Sequence, residues 1–254
     1  ILRAGRDCTI CAVPVKRAAA LAMQELHRAR QGYVRRRTAV GNQIRGLLLE
    51  HGVAMAQGEM AISHLVPRIL EDASQPLPDL LRELIAELQG EWHQQGERIK
   101  VLTGRLETAA KENETAKRLM TVRGVGPITA TALLAKETAP ERFANARQFA
   151  AYFGLVPSQN SSGEKVRLGK MSKHGDAYLR SLTIQGAHAV LKQIQPDSEQ
   201  PDDQRLLRWM SRLGRKEAAV RLANRNLRIL WVLLQNDQTY RRQPGNSLEA
   251  AMSH

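Results

Sequence analysis

Between Pro157 and Gly163 the chain carries three serines, Ser158, Ser161 and Ser162, followed closely by Lys165, Arg167, Lys170, Lys173, His174 and Arg180. A serine hydroxyl is a weak nucleophile until a neighbouring group activates it. Cations around it assist attack on a phosphodiester, because they offset the negative charge that develops in the transition state. Lys165-Val166-Arg167-Leu168-Gly169 alternates charged and apolar residues, as a strand with one wet face does. A Ser-Gly stretch also makes an ordinary turn. The density of cations beyond it is what raises the chemical reading above that one.

A second constellation precedes the first. Gly124-Val125-Gly126-Pro127 leads into an alanine-rich apolar segment, and resembles the hairpin of a helix-hairpin-helix motif. There, glycines without a Cβ let backbone N–H groups and a helix N-terminus approach a phosphate. Pro127 suits the first helical position, where its missing N–H costs nothing. Two glycines at a tight corner between helices would look the same, so Gly124 and Gly126 gain weight from the basic loop that follows.

The elements that must position these residues read as helices. From Val15 to about Glu50, Ala22, Leu26, Ala29, Tyr33, Val40, Ile44 and Leu47 recur at helical spacing, and His51-Gly52 ends the run. Arg35, Arg36 and Arg37 on this helix, with no acid between them, form a phosphate-contacting candidate. Gly52 to Pro78 reads as a loop-rich connector punctuated by Pro67, Pro76 and Pro78. Leu81, Ile85, Leu88, Trp92, Gln95, Ile99, Leu102, Leu106, Ala109, Asn113, Ala116 and Met120 then alternate steps of four and three. That heptad seam predicts a coiled coil, within the chain or between subunits of a homo-oligomer. Arg142 to Ala151 predicts a short amphipathic helix. Near the C-terminus Arg208 and Arg212, and beyond the Gly214 corner Arg225, lie on helices whose other face is apolar.

Composition narrows the class of protein. The chain has 254 residues and a formal charge of +13, which points to a polyanionic partner, nucleic acid first. No apolar run approaches the roughly 18 residues of a spanning helix, so no membrane is expected. Cys8 and Cys11 could form half of a zinc site, but the second ligand pair is missing. No metal is assigned to the residues present.

The runs Arg123–Glu137, RGVGPITATALLAKE, and Arg142–Arg180, RFANARQFAAYFGLVPSQNSSGEKVRLGKMSKHGDAYLR, are similar to the C-terminal domain of transposases of the insertion sequence family 110. The upstream run Val13–Leu48 resembles the helix that follows the family's N-terminal RuvC-like nuclease domain. The resemblance implies a DNA recombinase with a serine nucleophile, a carboxylate cluster that binds Mg²⁺, and a structured guide RNA as partner. On the family pattern the serine directly before the glycine carries the chemistry, which here is Ser162. It further implies a cytoplasmic, nucleoid-associated protein.

The family's paired acids lie upstream of the segment matched by Ile1 to Lys16, and Asp7, Glu50, Glu59, Glu71 and Asp72 do not replace them. The expected organisation is therefore a remnant of an α/β RuvC-like domain at 1–14, coiled-coil linker helices at 15–117, a compact transposase domain at 118–240 and a disordered tail at 241–254. The expected fold class is mainly α with one small β element. A non-catalytic helix-hairpin-helix module that binds DNA or RNA is the alternative, and a coiled-coil assembly protein a weaker third that leaves the charge unexplained.

Overall fold

The computed structural model describes residues 15–159, 168–236 and 238–240. Cys8, Cys11, the remnant expected at 1–14 and the C-terminal tail lie outside the described residues. The fold is mainly α: nine α-helices, one 3-10 turn and one two-stranded sheet occur among the described residues. It divides into two compact units, one of Glu25–Leu106 and one formed by the described residues before and after that stretch.

The Glu25–Leu106 unit is built on α1 (Ala18–Glu50), α2 (Glu59–Glu71) and α3 (Asp79–Glu112). Its core joins Val40, Ile44 and Leu48 of α1, Ile62 and Val66 of α2, and Ile85 and Trp92 of α3. The helical stripe expected along α1 holds in its C-terminal half, whereas Ala22 and Ala29 are exposed. Gly52, at φ +78°, stops α1 as the sequence indicates, and its N–H donates to Leu49 O at 2.9 Å. The connector expected between Gly52 and Pro78 is instead interrupted by a helix, α2, that runs through Pro67. Proline removes one backbone donor and strains an interior turn. Burial of Ile62 and Val66, at 2% and 0% exposure, offsets that cost.

The α3 seam is a real face: every expected seam position from Leu81 to Ala109 is buried or half-buried. It ends at Asn113, which is exposed and caps the next helix, its side chain accepting from Ala116 N–H at 2.9 Å. Asparagine favours that role because its short carbonyl reaches an orphan donor of the first turn.

In the second unit α4 (Glu114–Met120) and α5 (Pro127–Leu134) are joined by the Thr121–Gly126 corner. A 3-10 turn at Pro140–Arg142 follows, then α6 (Ala146–Tyr152). The helix expected from Arg142 thus begins only after Asn145, whose side chain accepts from Gln148 N–H at 3.0 Å. Next come β1 (Pro157–Gln159) and β2 (Leu168–Met171), antiparallel with Pro157 opposite Met171 and Gln159 opposite Leu168. Helices α7 (Ala177–Gln193), α8 (Pro201–Leu213) and α9 (Arg215–Gln235) complete the unit. Phe149, Phe153, Leu179, Leu206, Leu227 and Leu230, all under 2% exposed, lie at its centre.

Candidate nucleic-acid interface

The corner between α4 and α5 shows why its glycines are there. A Cβ on Gly124, which has φ +90°, would stand 3.0 Å from both Gly186 O and Val190 Cγ2 of α7. A Cβ on Gly186 would in turn overlap Gly124 O. Gly124 is therefore used for backbone-to-backbone packing. Gly126 differs: it is exposed, nothing lies within 4 Å of its missing Cβ, and it stands at the N-cap of α5 with no side chain capping that end. Pro127 brings no N–H to that end, and Ala130 N–H donates to Gly126 O at 3.0 Å to begin the helix.

Polar braces behind the corner hold it in place. Arg123 pairs with Asp203 at the start of α8, and Asp203 also accepts from Ser198 Oγ at 2.9 Å. Asn226 of α9 donates to Arg123 O at 3.0 Å. Neither Asp203 nor Asn226 stands out in the sequence, because each acts on a corner distant in the chain. The adjacent pair Asp202-Asp203 after Pro201 is the one local signal, since acids favour a first helical turn.

The strands β1 and β2 flank residues 160–167. Ser162, Lys165 and Arg167 fall in that stretch, outside the described residues. Ser158 Oγ donates to Lys170 O at 3.0 Å, and Ser172 N–H to Val156 O at 2.8 Å. At the base of the hairpin two chain segments cross backbone to backbone. A Cβ on Gly154 (φ +71°) would overlap His174 O, and one on Gly175 (φ +100°) would overlap Tyr152 O. Side chains larger than hydrogen are excluded at both positions. Asn224 of α9 donates to Leu155 O at 2.7 Å, and Arg180 of α7 to Phe153 O at 3.2 Å.

Asp176 caps α7, accepting from Tyr178 N–H at 2.8 Å and Leu179 N–H at 3.0 Å, and pairs with Lys136. Burial alone would raise its pKa. The Lys136 bond and the capped N–H groups outweigh burial and hold the carboxyl below its ordinary range.

The cations named from the sequence divide into exposed and engaged. Lys170 and Lys173 are exposed, and Lys173 adopts φ +56°, uncommon for a residue with a Cβ. Arg180 is half-buried and occupied by Phe153 O. Arg208 and Arg212 of α8 are exposed. Arg225 is half-buried and bound to Asp202 at 2.9 Å, a carboxylate that Arg205 also contacts. Burial raises the Asp202 pKa, and the two arginines together bring it below the ordinary value. In the other unit Arg35 and Arg36 are exposed, while Arg37 lies 3.8 Å over the Trp92 ring and 2.6 Å from Glu59.

The described residues contain no group of three or more His, Cys, Asp or Glu side chains able to hold a metal. They offer no fit for the Mg²⁺ that the resemblance implies. No described helix is long and apolar enough to cross a membrane.

A sequence model of the transposase IS116/IS110/IS902 family matches residues 116–201, from α4 into the start of α8. The chain is 40% identical over 234 residues to a "Probable family 20 transposase" of Pseudomonas aeruginosa, covering 90% of this chain and 68% of that protein. It is 36% identical over 219 residues to the "Transposase for insertion sequence element IS1111A" of Coxiella burnetii, covering 86% of this chain and 60% of the relative. With the "Transposase for insertion sequence element IS1328" of Yersinia enterocolitica it shares 35% identity over 218 residues, 84% of this chain and 62% of the relative. The chain belongs to the IS116/IS110/IS902 transposase family. It spans roughly two thirds or less of the length of these relatives.

Proposed function

We propose that the chain takes part in DNA transposition, holding DNA by its phosphates and presenting Ser162 to a phosphodiester. The observation that carries the reading is the β1–β2 hairpin. Its base is fixed by the Gly154–His174 and Gly175–Tyr152 crossings, its flanks carry exposed Lys170 and Lys173, and the segment it brackets contains Ser162. A reactive group must be positioned to within a fraction of an ångström, and a locked base beneath the segment that carries it serves that need. Membership of a transposase family supports the substrate class.

In the proposed step Ser162 Oγ attacks phosphorus and forms a serine–phosphate ester. One strand oxygen leaves and takes up, in net terms, the serine proton. Attack by a second strand end reverses the ester and releases Ser162. Lys165, Arg167, Lys170 and Lys173 offset charge on the phosphoryl oxygens. Gly126 and the start of α5, together with Arg208 and Arg212, hold neighbouring phosphates without reading bases. A structured guide RNA, a homo-oligomer formed through the α3 seam, a cytoplasmic location at the nucleoid, and Mg²⁺ bound by RuvC-like carboxylates complete the reading. Trapping of DNA on Ser162 tests the chemistry.

A further inference from the structure

A groove of about 530 Å³ runs along α1 within the Glu25–Leu106 unit, and the hairpin chemistry makes no use of it. Three arginines, Arg30, Arg37 and Arg45, line it together with a single acid, Glu59. Their roles differ. Arg45 is a strut: it donates to Gly58 O at 2.8 Å, Asn42 Oδ1 at 3.2 Å and Ala56 O at 3.3 Å, fixing the wall before α2. Arg37 is laid flat on Trp92 at 3.8 Å, with Nη1 on Glu59 at 2.6 Å. Arg30 donates Nε–H to Thr103 Oγ1 at 2.7 Å, which leaves its terminal amino groups for a ligand.

The floor is closed by tight packing. A Cβ on Gly41 would stand 2.6 Å from Ile62 Cδ1 and 3.3 Å from Trp92 Nε1. Trp92 is 4% exposed and so cannot move from beneath Arg37. The Glu59 side chain, by contrast, is 75% exposed. A solvated carboxylate over a fixed guanidinium marks an anion position that a stronger ligand can take.

We propose that this groove binds the phosphodiester backbone of a nucleic-acid strand, with Arg30 and Arg37 each holding a separate phosphate and Glu59 occupying the anion position at Arg37 when no strand is present. Arg30 and Arg37 lie two turns apart on one helix face, about 10 Å along the axis at 1.5 Å per residue, so each can meet a different phosphate of one strand. A guanidinium offers paired donors that match phosphate geometry. From Arg30 to Arg45 the groove follows about 22 Å of helix at 1.5 Å per residue, a length that suits several nucleotides rather than one small anion. Exposed Arg35 and Arg36 extend the positive field beside it. The site uses none of the residues placed around Ser162, so the two readings fail or stand separately.

The test uses the full chain and a fluorescein-labelled single-stranded 20-mer, with affinity read by anisotropy over a range of salt. Arg30→Gln is expected to weaken binding and to lower the slope of log affinity against log salt by about 0.7 for each phosphate released. Glu59→Gln is expected to strengthen binding several-fold. That gain cannot arise from misfolding, which would only weaken it. Arg98→Gln, an exposed α3 residue, controls for net charge. If Arg30→Gln behaves like Arg98→Gln, or Glu59→Gln brings no gain, the proposal is overturned. Inorganic phosphate at matched ionic strength should leave the strand bound; displacement at low millimolar phosphate would make the groove a small-anion site and overturn the strand assignment.

Discussion

The carbonyl oxygen of Gly124 occupies the place where Gly186 would carry a Cβ, so the α4–α5 corner and α7 meet backbone to backbone. Gly186→Ala must push the two apart. Overpacking of a tight contact costs about 1 to 3 kcal/mol, which chemical denaturation will show. Gly126→Ala meets open space at a negative φ and should cost within about 1 kcal/mol, mainly a weaker cap. Equal losses at the two positions would contradict the division of labour between these glycines.

The brace behind that corner predicts coupling. Asp203→Asn leaves Arg123 without its carboxylate, and Asn226→Ala frees Arg123 O. Each should destabilise by about 1 to 3 kcal/mol, the cost of leaving a buried polar group unpaired. Because both act on Arg123, the double variant should depart from additivity by about 0.5 kcal/mol or more. Simple additivity would mean that the two contacts do not act on a common corner.

Local spacing made some of this legible. Ile85, Trp92 and Leu106 repeat at sevens and face the core, and Gly52 and Gly214 stop helices because each adopts a positive φ that L-residues avoid. Pro67 misled because burial of its neighbours outweighs its breaker character. Asn113 looked like a seam position but caps a new helix. The pairing of Arg225 with Asp202, and the contact of Gly124 with Gly186, join residues far apart in the chain. No periodicity encodes such partners; only the packed fold brings them together.

The α3 seam gives a stability prediction. Ile85 has no exposed surface, so Ile85→Ala should cost about 2 to 5 kcal/mol through lost burial and the cavity left behind. Arg98→Ala on the exposed side should stay within about 0.5 kcal/mol. Urea midpoints separate the two, and similar shifts would refute the assigned face.

Acid should weaken the fold in two windows. Burial of His27, assisted by the charge on Arg30, lowers its pKa from 6.5 to about 4. The unfolded chain then binds a proton that the folded one refuses, so stability present above pH 6.5 is lost as pH falls towards 4. Below that, Asp176 and Asp202, both held under the ordinary 3.8, release their contribution as they protonate. His27→Leu should flatten Tm between pH 6.5 and 4 and leave the lower window. A wild-type Tm that is constant from 6.5 to 4 would contradict the assignment.

Ser162 is the proposed nucleophile. The most direct measurement offers the protein labelled insertion-sequence DNA and Mg²⁺ in the presence of a RuvC-like domain, and looks for a covalent protein–DNA adduct on a denaturing gel. The expected result is an adduct that Ser162→Ala abolishes and Ser161→Ala retains, with binding of the DNA nearly unchanged in both. An adduct that survives Ser162→Ala would contradict this and leave Ser162 without a chemical role.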